Sequence, residues 1–205
     1  MARKVDVAGL RRNSLTEIDR VMLRLERAVE NCDYLVMRWM AQMSAVEIHA
    51  IWERYVEKRL VGALNHDAAH FLKEQEIKGV DQVSVGLASY IIRSGARFFD
   101  FRSTSDLLSK SDGWLAQSHN PFRKLSVDER KYIDLLAAVR NYVVHQSDFA
   151  KARYKKQLKD VYGIKSAPEP DEFLYAKDLR PQGSPAKGQI RLEGIVIMVK
   201  SAINR

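Results

Sequence analysis

Cysteine is nearly missing from this chain. A single thiol, Cys32, cannot close an internal disulfide or build a zinc site alone, which excludes a disulfide scaffold and a Cys-based zinc module. It lies among apolar positions at helical spacing and is expected to pack. Long apolar runs are missing too. Nothing approaches the roughly 18 consecutive apolar residues of a membrane span. The N-terminal stretch carrying Arg3, Lys4, Arg11 and Arg12 is not followed by a signal-peptide-type segment. A cytoplasmic chain with no membrane partner is the expectation. Neither G-x-x-x-x-G-K-[ST] nor G-x-G-x-x-G occurs, so no phosphate cradle of those kinds is present. His66 and His70 have an i, i+4 spacing that suits zinc, but no third ligand accompanies them. No metal and no cofactor is expected. Proline is scarce and clustered: four of the five lie between Lys165 and Gly188.

Positive charge is in excess. Over 205 residues the formal net charge is +8, with a sequence pI of about 9.6. That favours acidic partners, nucleic acid first among them. Apolar residues make up 46% of the chain, enough for an ordinary core without a metal or disulfide.

The apolar spacing is overwhelmingly helical, so the fold class is all-α. From Ser14, Leu15, Ile18, Val21, Met22, Leu25, Val29 and Cys32 form one stripe, with Ser14 and Glu17 at capping-box spacing. A long helix follows from about Tyr34 to Leu64. Its stripe reads Leu35, Val36, Trp39, Met40, Met43, Val46, Ala50, Ile51, Val56, Leu60 and Leu64. A short helical continuation reaches Glu76, and Lys78-Gly79 reads as a turn. Ser84 to Asp100 predicts another helix, with Leu87, Tyr90, Ile91 and Phe98 inward. A short helix over Ser103 to Leu115 and a loop at His119-Asn120-Pro121 come next. Ser126-Val127-Asp128-Glu129 is the strongest start signal in the chain, a capping box with acids in the first turn. Ser147-Asp148 caps a further helix to about Tyr162-Gly163. The stretch 164–189 reads as a loop or linker, and 190–205 as a C-terminal helix, with strand as the alternative.

The helix after Ser126 carries the candidate chemistry. With about 100° per residue and Val139 at zero, the buried stripe is Tyr132, Leu135, Leu136, Val139, Tyr142 and Val143. Arg140 falls near about 100°, Asn141 near about 200° and His145 near about 240°, so all three share the polar side. Asn141 and His145, at i, i+4, are expected to touch, with Asn141 orienting the imidazole. Histidine moves protons at neutral pH. Arginine presents a charged planar fork to phosphate. The pair suits phosphodiester cleavage: His145 handles a hydroxyl proton and Arg140 stabilises charge on the phosphorane. One imidazole cannot easily serve as both acid and base, but twofold dimerisation would supply a second. A basic run follows, Lys151, Arg153, Lys155, Lys156 and Lys159. It is a candidate RNA-binding face, with Tyr154 and Tyr162 placed to stack on bases.

R-N-x-x-x-H at the end of a helix, in an all-helical chain with a long Glu-rich helix before it, resembles the HEPN superfamily (higher eukaryotes and prokaryotes nucleotide-binding). Arg140, Asn141 and His145 match the motif position by position, and the helices from about Ser14 to Tyr162 match its layout. The resemblance implies a helical domain over 1–163, with a long antiparallel helix pair and shorter C-terminal helices. The helix of 190–205 would pack on that domain. It further implies a homodimeric, metal-independent endoribonuclease leaving a 2′,3′-cyclic phosphate, of toxin–antitoxin or antiphage type. An acidic residue on the long second helix would support the site, and Glu47 takes that place.

Plainer accounts of the same residues stand beside this one. Arg140 can be a solvated surface residue and His145 a helix-end residue favoured by the dipole. Glu47 can be half of a surface ion pair, and the lysine run a solvated face. Two other functions stay open: a non-catalytic helical module for RNA or for a protein partner such as an antitoxin or a nucleotidyltransferase, and a structural protein with no nucleic-acid role.

Overall fold

A computed structural model describes residues 4–29, 32–94, 96–97, 99–179 and 189–205. The all-α expectation holds. Among these residues there are nine α-helices and one 3-10 turn, and the only β-type pairing is an isolated antiparallel bridge between Lys177 and Ile190. The helices are α1 (Val7–Val29), α2 (Tyr34–His66), α3 (Ala69–Glu74), α4 (Val85–Arg93), α5 (Thr104–Asp112), α6 (Val127–His145), α7 (Asp148–Tyr162), α8 (Pro170–Tyr175) and α9 (Arg191–Ile203), with the 3-10 turn at Pro121–Lys124. None of them is long and apolar enough to cross a membrane.

The chain divides into two compact units. One comprises residues 1–13, 53–125 and 205, the other 14–52 and 126–204. In the first, Leu60, Leu64, Val83, Ala88, Ile92, Leu107, Leu115 and Phe122 are buried. Polar side chains do much of the fastening there. Buried Asn65 accepts from the Val5 amide at 3.2 Å and donates to the Val83 carbonyl at 2.9 Å. The Arg93 guanidinium donates twice to Glu57 Oε1, at 2.5 and 2.8 Å. Asn120 holds the loop before the 3-10 turn: it donates to Ser111 and Asp112 and accepts from the Phe122 amide.

In the second unit, the α1 residues Ile18, Val21 and Leu25 and the α2 residues Met37, Ala41, Ala45, Ile48 and Trp52 are buried. Arg24 of α1 pairs with Glu47 of α2. Helix α6 carries a buried stripe that includes Tyr132, Leu135, Leu136, Val139 and Tyr142 as expected, and also Ile133 and Ala138; Val143 is half-buried. Both hydrogen bonds of the expected capping box form, and buried Glu129 also accepts from the Ser201 hydroxyl of α9 at 2.7 Å. The C-terminal segment is therefore a helix, tied to the start of α6. Aromatic rings fill the space under α7. Tyr142 and Tyr154 stack with centroids 5.5 Å apart, and Phe173 meets Tyr154 and Tyr162 edge-on.

Several expectations are corrected. Helix α1 begins seven residues before Ser14, which is a buried mid-helix residue. Its cap is Asp6, whose Oδ1 accepts from the Gly9 amide at 2.8 Å. The inward face of early α2 is Met37, Ala41, Ser44 and Ala45, while Leu35, Val36, Trp39 and Met43 are exposed, Trp39 by 59%. Helix α4 stops at Arg93, where Ser94 turns left-handed. Its buried residues are Ala88 and Ile92, while Leu87 and Tyr90 face solvent. Phe98 lies outside the described residues. Within the expected 164–189 loop, Pro170 opens the short helix α8; residues 180–188 lie outside the description. Cys32 is exposed rather than packed.

Candidate active site

Arg140, Asn141 and His145 occupy the last turn and a half of α6. Arg140 and Asn141 are half-buried and His145 is exposed. Arg140 Nη1 donates to Asn141 Oδ1 at 2.9 Å and stands 3.4 Å from His145 Nε2. The three side chains thus form one cluster, but the order of contact differs from the expected one. Asn141 fixes the guanidinium, and the guanidinium stands beside the imidazole. Asn141 has no direct bond to His145. The reason is reach: the four-bond arginine stem spans i to i+5 along the helix and arrives between the two shorter side chains.

A guanidinium has no acceptor, so this contact is a hydrogen bond only when Nε2 is the unprotonated ring nitrogen. At 3.4 Å the bond is long and weak. An anion entering beside Arg140 would draw the fork away and free the Nε2 lone pair. The backbone keeps the histidine accessible. Gln146 adopts φ 46°, its amide closes on the Tyr142 carbonyl, and Ser147 immediately caps α7 by accepting from the Ala150 amide. His145 therefore sits at a sharp elbow between two helices.

Glu47 does not join this cluster. Its carboxylate pairs with Arg24 at 2.5 Å, and both side chains are about half exposed. The basic run divides. Lys155, Lys156 and Lys159 line a groove of about 420 Å³ with Lys165 and Ala152. Lys151 lies over the Tyr142 ring at 5.9 Å, and Arg153 is half-buried. Lys156 also pairs with Asp160 at 3.1 Å.

Sequence reasoning missed two residues. Lys165 joins the lysine groove from beyond the end of α7. Phe149, the second residue of α7, is 80% exposed beside the motif, the most exposed large apolar side chain among the described residues. Its place in the sequence, between an Asp cap region and a basic helix, gave no reason for burial, and that was the available signal. Of the two tyrosines expected to stack on bases, Tyr154 cannot do so. Tyr154 is fully buried, and burial pushes its phenol well above its ordinary range, reinforced by the Glu169 carboxylate. Tyr162 is half-buried and engaged by Tyr132, Phe173 and Arg191.

His66 Nε2 meets the Val5 carbonyl at 3.0 Å, and no group of three metal-ligating side chains occurs among the described residues. His49 is buried on α2. Comparison of the chain with protein-family models, with curated proteins and with solved structures finds no match.

Proposed function

We propose that this chain is a metal-independent endoribonuclease of HEPN type that cleaves single-stranded RNA at a composite site in a homodimer. The observation that carries the reading is the Arg140 guanidinium 3.4 Å from His145 Nε2 at the exposed end of α6. His145 takes the proton of a ribose 2′-hydroxyl, and the freed oxygen attacks the adjacent phosphorus. Arg140 balances the charge that builds on the phosphorane oxygens. The bond to the 5′-oxygen breaks, that oxygen takes a proton from a second imidazole supplied by the other copy, and a 2′,3′-cyclic phosphate and a 5′-hydroxyl remain. Asn141 holds Arg140 in place. Lys155, Lys156, Lys159 and Lys165 guide the phosphate backbone, with Lys151 and Arg153 on the same helix, and Phe149 offers a stacking face to an unpaired base. Glu47 has no role in this scheme. The HEPN resemblance extends the reading to a cytoplasmic toxin or antiphage effector, held in check by an antitoxin or nucleotidyltransferase partner.

The test is incubation with single-stranded RNA in EDTA, wild type against His145→Ala. Cleavage by the wild type and its loss in the variant is the expected result; equal cleavage by both defeats the reading. A second reading, a binding module without turnover, draws on the lysine groove alone. It predicts salt-sensitive RNA retention, lost on Lys155→Glu with Lys156→Glu, and no product at any dose.

A further inference from the structure

The first unit holds a cavity of about 450 Å³ where the end of α2 meets the loop 118–124, with Arg59, His66, Asp67, His119, Lys124 and Arg205 among its lining residues. Three of these are permanently cationic, two are imidazoles and one is a carboxylate. The carboxylate is already committed: Asp67 Oδ2 accepts from His119 Nδ1, and Oδ1 accepts from the Ala69 amide at 3.0 Å. With Nδ1 turned to Asp67, His119 Nε2 lies on the opposite edge of the ring and makes no hydrogen bond among the described residues. Arg59 hydrogen-bonds Tyr55, and its Nε is buried with no hydrogen-bond partner. The loop is held firmly. Asn120 is buried in its bonds to Ser111 and Asp112, and Arg123 pairs with Asp112, leaving neighbouring Lys124 exposed at the cavity.

A concave space of this size, lined by cations and an oriented imidazole, matches a small dianion with a planar or sugar-like body. A lone carboxylate ligand would leave most of the positive charge unmatched. A phosphate monoester carries up to two charges and three acceptor oxygens, enough to engage an arginine, a lysine and an imidazole together. We propose that this cavity binds a phosphate monoester of mononucleotide size. Lys124 and Arg59 take the phosphate charge, and His119, as the imidazolium, donates to it from Nε2 while Nδ1 donates to Asp67. The site uses none of the residues of the Arg140–His145 cluster.

The experiment is calorimetric titration of the full chain at low salt with adenosine 5′-monophosphate, inorganic phosphate and adenosine. The monophosphate binds, inorganic phosphate competes with it, and adenosine does not bind. Lys124→Ala and His119→Ala each weaken monophosphate binding about tenfold or more, the loss expected for one charge-assisted contact. Both side chains are exposed, and thermal unfolding of each variant checks that the fold is kept; Lys124→Arg restores most of the affinity and excludes a folding defect in the lysine variant. His145→Ala binds the monophosphate as the wild type does, so the two sites fail or succeed separately. The proposal is overturned by absent monophosphate binding, by adenosine binding equally well, or by unchanged affinity in both alanine variants. Loss of affinity on Lys155→Glu with Lys156→Glu while Lys124→Ala retains it would also overturn it, by assigning the anion to the α7 groove.

Discussion

The two units of the molecule hold themselves together by different means. The first relies on charged and polar side chains locked in pairs: Glu57 with Arg93, Asp67 with His119, Asp112 with Arg123, and Asn65 across two backbone groups. The second packs apolar and aromatic side chains around α6, beside ion pairs of its own such as Arg38 with Asp171 and Glu172, and leaves Arg140, Asn141 and His145 together at the exposed end of that helix. The contrast separates two uses of charge. An arginine bonded by a carboxylate is part of the scaffold. Arg140, fixed by the neutral oxygen of Asn141, keeps its full charge for an anion. The same holds for the lysine groove along α7, where among the described residues only Asp160 pairs with a lining lysine.

The sharpest way to break the comparison is to remove the aromatic centre of the second unit. Phe173→Ala deletes a fully buried ring that packs on Tyr154 and Tyr162, and should cost about 3–5 kcal/mol. Chemical denaturation gives the total. Amide exchange should show protection lost first in 126–179, while 53–94 and 99–125 stay slow; uniform loss would show that the units do not differ in this way. Next in size is Glu129→Ala, which leaves the Ser126 amide and the Ser201 hydroxyl without their acceptor. About 2–3 kcal/mol is expected, combining the lost cap with an unsatisfied buried group. A loss no larger than that of an exposed acid such as Asp128→Ala would contradict the role given to Glu129.

Much of this was legible in the residues, and the failures have a common cause. The α6 capping box, the α6 stripe and the Ser147 cap of α7 are local signals with one solution each. Early α2 offered two apolar stripes, and size favoured the wrong one: Leu35, Trp39 and Met43 face solvent while the small Ala41, Ser44 and Ala45 face inward. Small residues signal close helix approach only once the neighbour is known. Tyr154 shows the same limit. Its place among lysines suggests a surface, yet helical phase turns it onto Tyr142. For the candidate site, spacing brought Arg140, Asn141 and His145 together correctly. Side-chain length, which periodicity ignores, made arginine rather than asparagine the neighbour of the histidine.

Smaller effects sharpen the contrast. Phe149→Ala should weaken single-stranded RNA binding by about 1–2 kcal/mol, the worth of one stacked base. Tyr154→Phe should leave it unchanged, since that ring is buried; fluorescence anisotropy with a labelled oligonucleotide compares them. The opposite outcome would return base stacking to the tyrosines.

Acid separates the units more gently. The Ala69 amide and His119 hold Asp67 below its ordinary range; for Asp106, burial is outweighed by the Arg102 amide and Lys110; Arg123 and Asn120 lower Asp112. A depressed carboxylate stabilises the fold above its unfolded value, about 3.9, and that stability is lost as pH falls through the folded value. In the second unit, burial and then Glu26 raise Glu193, so its contribution is present at low pH and lost as pH rises through its folded value. Lowering pH from about 5 to about 3 should therefore loosen the first unit before the second. Backbone NMR intensities followed through that range check the order; simultaneous loss in both units would remove this distinction.

The central claim is that an arginine and a histidine at the end of α6 cut RNA without a metal. The most direct measurement is mass spectrometry of RNA ends after incubation in EDTA with wild type, Arg140→Ala and His145→Ala. Fragments ending in 2′,3′-cyclic phosphate from the wild type, and none from either variant, are the predicted result. Fragments ending in 3′-hydroxyl, or the same cyclic ends from all three proteins, would contradict it.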